Sequence, residues 1–299
     1  MRKSLELQAE LGPVFDITFD AEDGAPVGGE VEHAYLIAAL LASDGNRHGR
    51  VGARLLPVDH PRFADVAQIV LQAAKPPAYL MLPKPHGVAD IVCAAAAVDS
   101  MAGGAAVPLH ALVETHGALH EVHAIAAHPR IESVSFGLMD FVSAHRGAIP
   151  VSAMGFKGQF EHPLVLRAKL EIAAACHAHS KTPSHCVVTE FKHAAALMEA
   201  AGKACRQFGY TRMWSIHPAQ IRPIVEAFTP TAAEVDLAIE IIAAAQAADW
   251  APIRHHDSLH DRASYRYFWH LLERAHRTSY IGGPQLPAEV REAYFADAN

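Results

Sequence analysis

Two carboxylates stand where apolar runs end. Glu114 closes "LHALVE" (109–114) and Asp140 lies just beyond "SVSFG" (133–137). They are 26 residues apart, about one helix plus one strand, a spacing that brings them together from adjacent strands of a parallel sheet. Two hard oxygen donors without a thiolate or a paired imidazole suit Mg²⁺ or Mn²⁺ far better than Zn²⁺, with waters and substrate oxygens completing the octahedron. Two other readings fit the same pair: the acid and base of a glycosidase, or caps on neighbouring helices. Aromatic residues make up 7% of the chain, which leaves few rings to stack on sugars. Helix capping stays open for Asp140.

Other polar residues collect at the ends of apolar runs: Asp20, Glu22 and Asp23 after the first, Arg54 in the second, Lys84 after the third and His217 after the last. The runs themselves are seven candidate strands, at 14–20, 51–56, 78–82, 109–114, 133–137, 184–188 and 212–216. Between them lie Ala-rich helical stretches such as 88–101 and 195–209, punctuated by Gly or Pro. Strands alternating with helices predict a parallel α/β architecture, in which the carboxyl ends of the strands share the face where chemistry is placed. Leu5, Leu7 and Leu11, followed by Gly12-Pro13, read as a helix over 4–12 ahead of the first visible strand. A barrel that opens on a helix is one strand short.

The totals narrow the partner. A chain of 299 residues that is 51% hydrophobic can bury a large core without staples. Its formal charge of −7, with no block of like-signed residues, lacks the footprint for nucleic acid or an anionic membrane and leaves a small molecule as the expected ligand. Four separated cysteines form no CxxC pair, as expected for a reduced cytoplasm. The start "MRKSLELQAELGP" has no continuous apolar segment of a signal peptide, and no run reaches about 18 apolar residues. Most of the 21 histidines are scattered and read as surface or packing residues. There is no Gly-x-Gly-x-x-Gly after a strand and no P-loop, which disfavours redox and phosphoryl-transfer chemistry.

Four stretches carrying five motifs together resemble the citrate lyase β-subunit and malyl-CoA lyase family. "ALVETHGALHEVHAIAAHPRIESVSFGLMDF" is similar to its Glu-Thr-x-x-Gly and Phe-Gly-x-x-Asp segments, with their separation. "FDAEDGAP", "LMLPKP" and "SIHPAQIRPIVEAFTPT" resemble its acidic turn, its Leu-Pro-Lys strand end and its Ile-His-Pro-x-Gln helix start followed by Phe-x-Pro.

The resemblance implies a (β/α)8 TIM barrel of the phosphoenolpyruvate/pyruvate type over 1–250, here lacking its usual first strand. A C-terminal helical arm over 251–299 is expected at a subunit interface. It implies Mg²⁺, with Mn²⁺ as the alternative, on Glu114 and Asp140, and cleavage or formation of a carbon–carbon bond in a hydroxy acid carried as its coenzyme A thioester. Arg54 matches the family arginine that faces the enolate, a role suited to a permanent charge with paired donors. Glu22 and Asp23 would orient metal-bound waters or that arginine, although "DAEDGAP" is also rich in turn formers. Lys84 would face substrate or coenzyme phosphate, and His217 would either lie on the coenzyme side or cap its helix rather than touch substrate. Asp261 would reach a neighbouring subunit's site as a proton-transfer group, implying a homotrimer or a multiple of one. Tyr265, Phe268, Trp269 and Leu272 follow a packing stripe in the helix expected over 257–276.

Two further departures bear on the substrate. Leu56 takes the place of the family's asparagine, and the connection 143–163 is long and irregular. The leading expectation is a lyase of citramalyl-CoA, malyl-CoA or a related thioester. The alternatives are a metal-dependent aldolase of a free 2-oxo-4-hydroxy acid and a catalytically silent member that binds metal or ligand without turnover.

Overall fold

The computed structural model describes residues 1–103, 106–190, 193–279 and 283–296. Contacts divide the chain into two compact units, Met1–Ala227 and Phe228–Asn299. The sequence-based boundary at 250/251 instead falls inside the second unit.

In the first unit seven strands run parallel and pair in chain order: β1 (Ile17–Asp20), β2 (Val51–Arg54), β3 (Leu80–Leu82), β4 (Leu109–Val113), β5 (Ile131–Phe136), β6 (Thr182–His185) and β7 (Arg212–Met213). Helices make every crossover, as parallel neighbours require. With the strands paired in chain order the crossover helices lie on the outer face and the curl closes the inner face on itself, so β4 is buried along its whole length. Helix Val88–Met101 occupies the expected span, and Ala194–Arg206 closely matches the other. Six of the seven strands are shorter than their apolar runs, which also carry loop residues that reach the rim; β5 is one residue longer and starts two residues before its run.

The sheet curls into a TIM-barrel-like form that lacks a strand ahead of β1. Helix Arg2–Leu11 comes first, and among the described residues no ladder joins β7 to β1. Side chains span that gap instead. Asp16, just before β1, pairs with Arg50 at 2.6 Å and with Arg212 at the start of β7. Glu10 on the first helix pairs with Arg222 at 2.5 Å, and Gln8 Nε2 donates to the Phe15 carbonyl at 2.7 Å. Nearby, the Tyr79 ring stacks on His110 with centroids 4.0 Å apart, and its hydroxyl is 2.6 Å from Thr18 Oγ1. Gly52 makes room for it, since a Cβ there would stand 2.5 Å from the ring.

A second polar cluster is buried where helix Pro163–Ala178 covers β6. Lys169 Nζ donates to Gln159 Oε1 at 2.9 Å, lies 2.8 Å from His185 Nε2 and sits 3.8 Å above the Phe160 ring centroid. Burial pushes this amine down to about 8.

The second unit packs helices Ala232–Ala247, Arg262–Thr278 and Ala288–Phe295 around a core that includes Ile241, Ile242, Phe268 and Leu272. Thr231 and Glu234 close a reciprocal capping box on the first of these helices. The expected helix over 257–276 is corrected here. An antiparallel hairpin, β8 (Ile253–His255) and β9 (Ser258–His260), precedes it, and the helix opens at Arg262. The apolar stripe starts only at Tyr265, so periodicity could not locate the first turn, whereas Asp261 does so by capping it. Among the described residues no helix is long and apolar enough to cross a membrane.

Candidate active site at the carboxyl rim

Parallel register places the residues after β1 to β5 on one rim; Asp20 of β1, for example, stands beside Arg54 of β2. Glu114 directly follows β4 and is 2% exposed. Its Oε1 accepts the Lys84 backbone N–H at 2.9 Å. Lys84 follows Pro83 in a left-handed conformation, φ +49°, so the strand end turns sharply where its amide meets that carboxylate. Thr115 fixes the other side: its hydroxyl donates to the Pro85 carbonyl at 2.6 Å and accepts from Ala118 N–H at 3.0 Å.

Gly137, after β5, makes the close approach possible. A Cβ there would overlap Glu114 Oε2 and stand 2.6 Å from Glu114 Cβ. The helix that follows, Leu138–Ser143, carries Asp140 in its first turn, but its N-cap is Gly137 and no side chain caps it. Asp140 is half exposed and turned to the same rim, with Oδ1 3.7 Å from Lys84 Nζ. Burial, reinforced by the Asp140 charge, pushes the Glu114 carboxyl up to about 8.

On the β1 and β2 side, Arg54 is held by three carboxylates. Its Nε and Nη2 donate to the two oxygens of Asp20 at 2.8 and 2.5 Å, its Nη1 lies 2.9 Å from Glu22 Oε2, and its Nη2 lies 3.3 Å from Asp23 Oδ2. Burial opposes its charge, but Asp20, Glu22 and Asp23 outweigh that and raise its pKa. Glu22 also takes Lys84 Nζ at 2.5 Å. Burial raises the Glu22 carboxyl, against the pull of Lys84 and Arg54. Lys84, despite partial burial, is raised by Glu22 and Asp140.

Six of the sequence-derived residues thus meet in one network: Glu22, Asp23, Arg54, Lys84, Glu114 and Asp140. Asp20 was noted in the acidic cluster but not as the main clamp on Arg54; the signal was the strand register. His217 takes the capping alternative: it is exposed, and its Nδ1 accepts Ala219 N–H at 3.2 Å. Gln220 of the same segment is the buried latch, accepting Ile216 N–H at 2.9 Å and donating to Val188 O at 2.7 Å. Leu56 is buried and offers no polar group to the rim. The long connection after Asp140 folds into two short 3-10 turns, Val151–Met154 and Gly158–Phe160, and the Glu190 carboxylate accepts Phe156 N–H at 3.0 Å. Asp261, in the second unit, is exposed and caps its helix by accepting Ala263 N–H at 2.9 Å and Ser264 N–H at 3.4 Å.

Two hard carboxylates on adjacent strand ends, one deeply desolvated, together with fixed cations, make a site that can hold a divalent ion and an anionic oxygen substrate. Residues 17–218 match the family model HpcH/HpaI aldolase/citrate lyase. An L-malyl-CoA/β-methylmalyl-CoA lyase from Cereibacter sphaeroides is 28% identical over 251 residues, covering 78% of this chain and 77% of that protein. A crystal structure of a citrate lyase from Burkholderia xenovorans is 52% identical, with TM-score 0.88, covering 98% of this chain and 92% of the other. A Mycobacterium tuberculosis CitE structure in complex with magnesium, acetoacetate and coenzyme A is 19% identical, covers 92% of this chain and 95% of its own, and shares the fold with TM-score 0.70.

Proposed function

Because the chain belongs to the HpcH/HpaI aldolase/citrate lyase family, we propose that it is a Mg²⁺-dependent carbon–carbon lyase of a hydroxyacyl-CoA such as citramalyl-CoA or malyl-CoA, releasing an oxoacid and an acyl-CoA. The observation that carries this reading is the convergence of Glu114 and Asp140, with Glu114 desolvated until its carboxyl retains a proton near neutral pH. Such a pair gains from a hard dication, and the absence of thiolate or imidazole in the pair suits Mg²⁺ or Mn²⁺. When bound, the ion supplies a Lewis acid for the substrate's hydroxyl and carboxylate oxygens.

The chain's own residues account for the rest. Cleavage passes the hydroxyl proton to solvent, breaks the carbon–carbon bond, leaves the oxoacid carbonyl on one fragment and puts the bond's electron pair on the thioester fragment as an enolate. Arg54, clamped by Asp20, Glu22 and Asp23, is a preorganised cation for the enolate oxygen. Lys84, bridging Glu22 and Asp140, holds both carboxylates in place and faces the thioester side. Asp261 of a neighbouring subunit delivers the proton that converts the enolate to acyl-CoA, in a homotrimer or a multiple of one. The four free cysteines fit a reduced, cytoplasmic setting.

The test is calorimetry of Mg²⁺ with pyruvate or glyoxylate, paired with turnover of citramalyl-CoA and malyl-CoA, on the native protein and on Glu114→Ala and Asp140→Ala. Binding and turnover by the native protein alone are expected. Turnover restricted to free 2-oxo-4-hydroxy acids would overturn the thioester assignment. Mg²⁺ and oxoacid binding without turnover of either substrate class would favour the silent alternative. Native protein that binds neither ion nor oxoacid would overturn the whole reading.

A further inference from the structure

The β8–β9 hairpin brings together three ligand-type side chains remote in role from the carboxyl rim. Glu240 projects from helix Ala232–Ala247, His255 ends β8 and His256 forms the turn. One ligand atom from each lies within 4.8 Å of the other two, and His255 Nε2 is 3.0 Å from Glu240 Oε2. The two rings are 4.4 Å apart at 66°.

This convergence is built against the grain of a strand. Neighbouring residues in an extended chain point to opposite faces. His256 instead adopts a left-handed conformation, φ +49°, which brings its ring back to the side of His255. A non-glycine residue rarely adopts that conformation. Arg254 holds the turn in that form: its Nε donates to the His256 carbonyl at 3.3 Å and its Nη2 reaches Asp257 Oδ1 at 3.0 Å. The adjacent His260 ring, 6.4 Å from His255, has a buried Nδ1 with no hydrogen-bond partner.

We propose that Glu240, His255 and His256 form a second metal site, distinct from the carboxyl rim and selective for Zn²⁺-like ions. Two imidazoles and one carboxylate are a donor set for Zn²⁺, Ni²⁺ or Cu²⁺ and a poor one for Mg²⁺. A tetrahedral Zn²⁺ asks for ligand atoms about 3.3 Å apart, which small rotamer changes at these surface side chains supply. Water fills the open position. The ion ties the hairpin to the helix behind it and so fixes the segment that leads into Asp261. The site does not depend on the lyase reading.

The test uses the full chain, stripped by chelation and held in excess Mg²⁺, with Zn²⁺ titrated against a chromophoric competitor and Co²⁺ absorption as a second readout. Native protein is expected to bind one Zn²⁺ and to show a Co²⁺ band. Both should weaken at least tenfold in His256→Ala and in Glu240→Gln. His270→Ala, which removes an exposed histidine paired with Glu273 at 2.8 Å, should leave them unchanged. Equal affinity in native protein and His256→Ala, or no Zn²⁺ uptake by native protein, would overturn the proposal. Because the altered side chains are on the surface, melting temperatures of the metal-free proteins should coincide, separating ligand loss from misfolding.

Discussion

Mg²⁺ binding at the rim should depend steeply on pH, with Glu114 setting the slope. Its carboxyl is raised from 4.5 to about 8, first by burial and then by the Asp140 charge. A metal ligand must be deprotonated, so each bound ion displaces the proton that Glu114 still holds. With that pKa, about half of the molecules carry ionised Glu114 at pH 8 and ~1% at pH 6. The apparent affinity should fall about 50-fold between those values, with nearly one proton released per ion at pH 6 to 7. In the metal-free chain a raised carboxyl contributes stability that is full below about 4.5 and is lost as pH rises through about 8. The shift corresponds to roughly 5 kcal/mol at most. Calorimetric titrations from pH 6 to 9, in two buffers of different ionisation enthalpy, count the protons directly. An affinity that changes less than about threefold from pH 8 to 6, with no proton released, would refute the argument that Glu114 is a desolvated ligand.

Other changes separate roles that geometry alone leaves joined. Gly137→Ala should drive the new Cβ into Glu114, costing about 1–3 kcal/mol in stability and weakening Mg²⁺ binding about tenfold or more; unchanged melting and calorimetry would mean the strand end yields freely. Asp261→Asn preserves a good N-cap, whereas Asp261→Ala should destabilise the arm by about 1 kcal/mol. If Asp261 moves a proton, both variants lose about 100-fold in turnover, and native turnover in the Asn variant would leave it a cap only. Lys169, held down to about 8 by burial, should add up to about 3 kcal/mol of stability as pH rises from about 8 to 10.5, because only the unfolded chain stays protonated there. Denaturant titrations of Lys169→Met should show that increment missing, and a retained increment would place the titration elsewhere.

The strands and the rim were legible because a parallel α/β chain writes each buried strand as an apolar run and leaves its functional residue at the carboxyl end. All seven runs contain a strand or overlap one, and Glu114, Asp140, Arg54, Lys84, Glu22 and Asp23 converge as that pattern implies. What was not legible depends on partners distant in sequence. The Asp20 clamp on Arg54 is set by the β1–β2 register across 34 residues. Lys169 looks like a helix-surface lysine until Gln159 and His185 enclose it. The 253–260 hairpin has three-residue strands and an exposed Leu259, too short and too polar for alternation to show. His217 was open between capping and substrate contact, and its observed cap satisfies the first of those roles.

The charge balance of the rim implies an order of binding. Asp20, Glu22, Asp23 and Asp140 face only Arg54 and Lys84 within this network, a surplus of two negative charges while Glu114 keeps its proton. Asp20 and Glu22 are already spent on Arg54 and Lys84, so the uncompensated charge falls on the Glu114–Asp140 side. At 4 Å and an intermediate dielectric, one unpaired like charge costs an incoming carboxylate about 4 kcal/mol, close to a thousandfold in affinity. A dication on Glu114 and Asp140 reverses the local sign and gives the same carboxylate an attractive partner. Pyruvate or glyoxylate should therefore show little binding to metal-free protein and bind once Mg²⁺ is present. Glu114→Gln, which keeps the bulk of the protonated carboxyl, should lose the ion while leaving metal-free oxoacid binding as weak as in the native protein. Equal oxoacid affinity with and without Mg²⁺ would show that Arg54 alone holds the substrate carboxylate, and the metal would then have no part in recognition.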